Sequence, residues 1–509
     1  MNLNLEYKME KNSEISILHD SGLDNIDLNL KLQHSNETLK NLLLKSSNFP
    51  NISNILKTQE TIEKLKNINL DKEFEKIAEL ETKKNAYHSN IENKSLEEDL
   101  EKNTFGQLIF THDDLKQLNH IPFLLLFFAY FKKICIPFFS LFVPIIAYFM
   151  PMILIKYVWK MPINLNFYNK IMGQIWSFDI SSPEKILQHL FTIFTIFQSV
   201  YQIIQNALHL HTIDTNITNI GDVVLNYKNL VISVDKKLKQ HDIDFPISKI
   251  CDDLYDDSRR VFIQVTEEPY RFETLSKSMA LLEIYYKIAH HEDSSKVKIY
   301  QSESPYFKAD EVYDINLSKE KRVPSSLVIK RYEQHFLLSG PNGGGKSSFL
   351  RGILQTLLFS NAFGWAFGKN IELSPFDYIM SGLSIHDTPG KLSMFQKELM
   401  FARDVLYHNN PQYKGFVLFD EIFHSTNPPD CVKTSNLFLN KLWTYSHISS
   451  IVSTHVFEII EISPETVKKI CVDAENVGNT IQYKYKIKNG ISKLSSVEEL
   501  YNFRVKTDK

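Results

Sequence analysis

A chain of 509 residues is long enough for two or three domains, and its formal net charge of -3 gives no global electrostatic reason to expect a nucleic-acid partner, while leaving room for a local basic face. Hydrophobic content of 43% and charged content of 23% are those of an ordinary folded protein, which excludes a fibrous or largely disordered class. The cysteines (Cys135, Cys251, Cys431, Cys471) form no CxxC pair and have no zinc-ligand spacing, so neither a disulfide framework nor a metal site is expected, and a reducing, intracellular compartment fits best. The start, MNLNLEYKMEKNSEIS, has no apolar run and does not read as a secretory signal.

In chain order, residues 1–119 are rich in Lys, Glu, Asn and Leu and predict a charged helical or partly disordered region, without the regular apolar spacing of a coiled coil. Residues 120–160 are strongly apolar. Lys132 and Lys133 split them into a short run and an uninterrupted run of 22, Ile134–Ile155, long enough to cross a hydrocarbon core, which takes about 20 residues. Pro137, Pro144 and Pro151 recur there every seventh residue, and Lys156, Tyr157, Trp159 and Lys160 follow as interfacial anchors would. Two readings stand side by side: a membrane span or hairpin through 121–157, or a very apolar core segment. Residues 161–300 predict a helical, lever-like region; within it Ile186–Leu210 carries enough Gln, His and Asn to suggest an amphipathic core helix. Residues 301–509 shorten to strand-like runs and read as an α/β domain.

That domain holds the chemistry. The strand-like Phe336–Ser339 leads into GPNGGGKSS (Gly340, Pro341, Asn342, Gly343, Gly344, Gly345, Lys346, Ser347, Ser348) and then into a helical run. This is GxxxxGKS in its strand–loop–helix setting, where a glycine-rich backbone and a helix N-terminus cradle phosphates. A chance glycine-rich turn is a poor alternative in that setting. Lys346 supplies a compact positive charge for the β- and γ-phosphates of ATP, and the Ser347 hydroxyl a ligand for Mg²⁺. Downstream, GFVLFDE (Gly415–Glu421) is a continuous apolar strand ending in two acids. Asp420 is the expected second Mg²⁺ ligand, and Glu421 the group that orients or deprotonates the attacking water. A third strand, Ser449–Thr454, precedes His455.

Taken together these motifs resemble the MutS-like branch of the ABC superfamily. GPNGGGKSS is similar to the family's GPNMGGKST, DEIFHSTNPPD to DEIGRGTSTYD, and STHVFEI to ATHYFEL. GKLSMFQKEL (Gly390–Leu399) resembles the signature GRSTFMVEM with one extra residue before Ser393, so that Ser393, Phe395 and Glu398 match. Tyr483–Ser492 resembles the closing strand pair, and the resemblance covers about residues 305–495. It implies an α/β P-loop, ABC-type ATPase domain and an Mg²⁺-dependent ATPase working as a nucleotide-sandwich homodimer or heterodimer. His455 would sense the γ-phosphate, Ser393 would cap the neighbour's nucleotide in trans, and Asp430 would lie in a subunit-facing loop. It further implies action on mismatched or branched DNA, in repair or recombination.

The sequence departs from the family in several places. Phe423, His424 and Ser425 replace Gly-Arg-Gly, and Pro428 and Pro429 replace a Thr-aromatic pair, which stiffens the following loop. No Phe-x-Glu wedge precedes the P-loop, the upstream part is short for a mismatch reader, and the usual C-terminal helical extension is expected to be missing. The alternative reading is therefore a membrane-anchored MutS-like ATPase coupled to a non-DNA partner. A transporter-type ATPase fits less well, for want of an LSGGQ-type signature.

Overall fold

The computed structural model describes residues 17, 19–22, 32, 35–92, 106–110, 112, 114–175, 183–245, 247, 251–385, 393–477 and 480–494. They divide into two compact units: unit 1 comprises Met1–Asp71, Lys237–Asp244 and Lys277–Lys509, and unit 2 comprises Lys72–Lys236 and Phe245–Ser276. In chain order the principal helices are α1 (Asn36–Ser46), α2 (Ile52–Leu65), α3 (Asp71–Glu92), α4 (Pro122–Tyr130), α5 (Ile136–Ser140), α6 (Val143–Ile153), α7 (Leu165–Ile175), α8 (Pro183–Gln240), α9 (Ser258–Glu267), α10 (Pro269–His290), α11 (Lys346–Phe363), α12 (Met394–Tyr407), α13 (Pro428–Leu442) and α14 (Phe457–Glu461). The strands are β1 (Ser294–Lys296), β2 (Lys298–Ile299), β3 (Phe307–Val312), β4 (Ser325–Ile329), β5 (His335–Ser339), β6 (Trp365–Phe367), β7 (Glu372–Leu373), β8 (Tyr378–Gly382), β9 (Gly415–Phe419), β10 (Ile448–Ser453), β11 (Lys468–Val477) and β12 (Thr480–Asn489).

Unit 1 is an α/β body around a six-stranded mixed sheet in the order β12-β11-β5-β10-β9-β8. All neighbours from β11 to β8 run parallel, and β12 closes the edge antiparallel to β11. Every residue of β5, β8, β9 and β10 is buried. That explains their continuous apolar runs, because a parallel strand covered on both faces needs no polar alternation. Val417, Phe419 and Val452 pack with Phe438, Leu439 and Leu442 of α13. A four-stranded sheet, β2-β7-β3-β4, and a β1–β6 pair complete the unit.

The described residues 35–71 fall in unit 1 with the residues that follow the boundary expected at 301. Leu39, Leu43, Ile55, Ile62 and Leu65 are buried. The Asn361 amide donates to the Ser46 carbonyl (3.2 Å), and Ile379 N–H to the Ser47 carbonyl (3.0 Å). Gln59 Nε2 donates to the carbonyls of Val297 and Gly364, each at 2.7 Å. Apolar residues on one face of α1 and α2 thus cover α11, a long-range partnership that spacing within 1–119 does not reveal.

Unit 2 is helical. Leu108, Leu125, Ala129, Ile213, Ile217, Ile220, Phe262 and Ile263 form one core. Elsewhere buried Tyr227 donates to Glu81 (3.0 Å), and the Lys228 ammonium pairs with Asp256 (2.7 Å). The apolar run Ile134–Ile155 does not form one regular helix. A π turn at Phe131–Cys135 joins α4 to α5, and a turn at 141–142 precedes α6, where Pro144 removes a helical donor. Nor is Ile186–Leu210 a core helix. It is part of the 58-residue α8, and Leu187, Phe191, Phe194 and Phe197 face outward.

Candidate functional site

Three adjacent parallel strands, β5, β9 and β10, end at the same edge of the sheet and deliver Gly340, Asp420 and Thr454–His455 to it. Ligands of open α/β sheets bind at such carboxyl ends. After β5 the chain turns through Gly340 at φ 149°, where a Cβ would lie 3.0 Å from Val472 Cβ. The Gly344 N–H donates to the Pro341 carbonyl (3.2 Å), leaving Asn342 and Gly343 exposed at the tip. Gly345, at φ 94°, caps α11 and brings no side-chain acceptor. The first-turn N–H groups of α11, with half-buried Ser348 among its residues, therefore have no side-chain cap, the arrangement by which helix N-termini receive anions.

Lys346 is only 5% exposed, and its Nζ donates to the carbonyls of Gly340 (3.1 Å) and Pro341 (3.2 Å). Burial pushes its ammonium below the usual lysine range, against the pull of the Glu421 and Asp420 carboxylates. Ser347 Oγ donates to Asp420 Oδ2 at 2.5 Å, and Ser453 Oγ to the other Asp420 oxygen. Glu421 has φ 53°, and its N–H donates to Ser453 Oγ at 2.9 Å. Its carboxylate meets His455 Nε2 at 2.8 Å. This hydrogen bond, with the charges of His455, Lys346 and His424, holds the Glu421 carboxyl below its ordinary value although burial opposes it. Lys346, Ser347, Asp420, Glu421 and His455 are thus brought together.

Ser393 is not joined to that group among the described residues. It is the N-cap of α12, accepting from Gln396 N (3.3 Å) while the Gln396 side chain accepts from Ser393 N (3.0 Å). Gly390, Lys391 and Leu392 lie outside the described residues. Asp430 sits in the first turn of α13, where Pro428 and Pro429 take the first helical positions and Asn427 caps the helix, accepting from Asp430 N at 3.0 Å. The prolines therefore start a helix where stiffening of a loop was expected.

The divergent Phe423, His424 and Ser425 have structural partners. Phe423 is fully buried, its ring among those of Phe395, Phe419 and Phe438. Glu398 is buried, which raises its carboxyl, and it accepts from Ser425 and faces His424 Nδ1 at 3.2 Å. Ser453 and Tyr483 were not foreseen. Nothing in the strand Ile448–Ser453 sets Ser453 apart from Ser449 and Ser450, and Tyr483, whose hydroxyl donates to the Asn342 carbonyl (3.3 Å), reaches the loop only through the β11–β12 pairing.

Residues 336–500 match the family model MutS domain V. The chain is 25% identical over 176 residues to the DNA mismatch repair protein MutS of Persephonella marina, covering 34% of this chain and 20% of that protein. It is 22% identical over 250 residues to the MutS of Streptococcus agalactiae, covering 46% and 28%. It is 33% identical over 165 residues to the mitochondrial DNA mismatch repair protein MSH1 of Arabidopsis thaliana, covering 31% and 14%. The chain thus spans less than a third of the length of each of these relatives. The C-terminal part of the chain, over residues 336–500, is thus similar to MutS domain V.

Proposed function

We propose that unit 1 binds and hydrolyses ATP with Mg²⁺, in a composite site completed by a second ATPase domain, and that the cycle is coupled to DNA. The observation that carries this reading is the Ser347–Asp420–Ser453 cluster beside the Glu421–His455 pair, at the end of a glycine-rich loop that opens a helix. Gly340 to Gly345 and the first turn of α11 would hold the triphosphate through backbone N–H groups. Lys346 would exchange its two carbonyl partners for phosphate oxygens, a favourable trade for a buried ammonium.

The Ser347 and Asp420 oxygens, already within hydrogen-bonding distance of each other, are the hard donors that magnesium prefers, and they would hold it. Such an ion, when bound, neutralises charge on the phosphate oxygens. Glu421 would orient a water for in-line attack on the γ-phosphorus and accept its proton, with ADP as leaving group; His455 holds that carboxylate in place. Ser393 would act on the nucleotide of the facing subunit, which accounts for its having no role within its own chain's cluster.

DNA enters the reading through the relatives, named as DNA mismatch repair proteins. The test measures ATP turnover by the full chain with no DNA, with homoduplex and with mismatched or branched duplex, at two salt concentrations. Stimulation that falls steeply with salt supports the reading. Turnover that ignores every DNA at low salt removes DNA from it. Trans action is tested by mixing Ser393→Arg and Lys346→Ala proteins, each inactive alone; recovered turnover supports the composite site, and none rejects it.

A further inference from the structure

We propose that unit 2 carries a helical hairpin that crosses a lipid bilayer: residues 134–155 pass outward and residues 186–208 of α8 return. Neither segment contains an Asp, Glu, Lys or Arg. At 1.5 Å per residue, 22 residues reach about 33 Å, against a hydrocarbon core of about 30 Å. The base ends of the two segments lie side by side. Lys133 Nζ pairs with Asp214 at 2.8 Å, Asp214 also accepts from Arg259, and a cavity farther along is lined by Pro137 and Ser140 on one side and Ile203 and Asn206 on the other. Residues rising from 133 therefore meet residues falling from 214, an antiparallel pair.

The exposed residues decide what covers it. Phe138, Phe139, Phe142, Ile145, Ile146, Phe149 and Ile153 face outward, as do Leu187, Leu190, Phe191, Phe194 and Phe197. With the equally exposed Leu141 and Leu154 added to the first set and Ile193 and Ile196 to the second, each set at 100° per residue sweeps roughly 220° of its helix, so the apolar surface surrounds the hairpin instead of forming one stripe. A docked protein or a second copy covers a stripe; hydrocarbon covers a circumference. On the inward side Pro137 lines the cavity shared with α8. The ends are marked as interfaces. Phe123, Phe127 and Phe131 stack in an exposed ladder beside the Lys132, Lys133, Asp214 and Arg259 cluster. Tyr157 and Trp159 lie exposed between Lys156 and Lys160 at the other end. There α7 folds back, its Tyr168 hydroxyl on the Tyr148 carbonyl, with Leu165 and Phe167 turned outward.

Among the described helices, the 19-residue stretch Pro122–Ser140 passes a simple test of length and hydropathy for a span. Its first half is anchored in the unit 2 core through Leu125 and Ala129, and its lysines lie mid-helix, which moves the crossing to Ile134 and beyond. The inference is independent of the ATPase reading, because it uses none of the same residues.

A hairpin returns the chain to its starting side, so Trp159 and unit 1 must face opposite compartments. The full chain, with Cys135→Ser, is produced in bacteria as a Trp159→Cys or a Tyr332→Cys protein; both positions are exposed, at 67% and 79%. An impermeant maleimide is expected to label the thiol at 159 in intact cells and the thiol at 332 only after lysis. The protein should also float with membranes and resist alkaline carbonate, and Phe149→Lys with Phe194→Lys should lower the resistant fraction more than about tenfold. Labelling of both thiols only after lysis overturns the crossing. Recovery of the chain as an oligomer in detergent-free buffer overturns it too, and assigns the apolar surface to a second copy.

Discussion

Replacing Glu421 by Gln tests the proposed chemistry with little structural disturbance. The amide retains the shape, and the backbone at φ 53° stays anchored by the N–H bond to Ser453. One oxygen remains to meet His455, now 2.8 Å from the carboxylate. With the Glu421 side chain 36% exposed, loss of the ion pair costs stability at most about 1 kcal/mol. Loss of a positioned general base costs ~10²–10⁴-fold in turnover, or about 2.7–5.5 kcal/mol in activation free energy. The expected result is a protein that binds ATP within a few fold of wild type and hydrolyses it at least about a hundredfold more slowly. Single-turnover phosphate release and equilibrium nucleotide binding, measured side by side, separate the two. A variant hydrolysing within tenfold of wild type refutes the role given to Glu421. The pH profile is a second check. The folded carboxyl lies below its ordinary value of 4.5, so its ionised form, and the stability of its pairing, persist above that value and are lost as pH falls through the lower folded value. An acid limb of activity centred above 4.5 therefore belongs to another group.

Lys346→Ala removes two charge-assisted hydrogen bonds and should weaken ATP binding about 10- to 150-fold by titration calorimetry, the equivalent of ~1.5–3 kcal/mol; unchanged affinity contradicts the phosphate site. Gln59→Leu strips the donor from two buried carbonyls, those of Val297 and Gly364, and should lower unfolding free energy by about 2–4 kcal/mol. A urea midpoint that does not move argues against α2 being part of unit 1. Gly352→Ala would bring a Cβ to 2.7 Å from the Tyr313 carbonyl oxygen, backbone that cannot swing aside, and should destabilise by about 1–3 kcal/mol in the same assay. A stabilised Gly352→Ala protein, as helix propensity alone predicts, refutes that close approach.

What the sequence alone determined is the candidate site at the edge of the unit 1 sheet, because each part of it is local. A glycine-rich loop between strand and helix, an apolar strand ending in Asp420–Glu421, and a strand ending at His455 are short patterns whose chemistry follows from residue type and order. Even so, Ser453 became visible only when β9 and β10 lay side by side, since its hydroxyl serves residues of the neighbouring strand. Phe423, His424 and Ser425 read as departures from a family motif until Glu398 and three aromatic rings were found against them. The N-terminal helices show the same limit, because α1 and α2 carry modest apolar faces whose partner, α11, lies some three hundred residues away. Composition marked 121–157 as apolar but left both a core segment and a membrane segment open, the length of the run favouring the membrane, since both demand the same residues. Only the tertiary structure, by pairing Lys133 with Asp214 and turning Phe139 and Phe191 outward, decided which faces are covered by protein. Burial is a property of what a side chain meets, and that is fixed by long-range packing, not by neighbours in sequence.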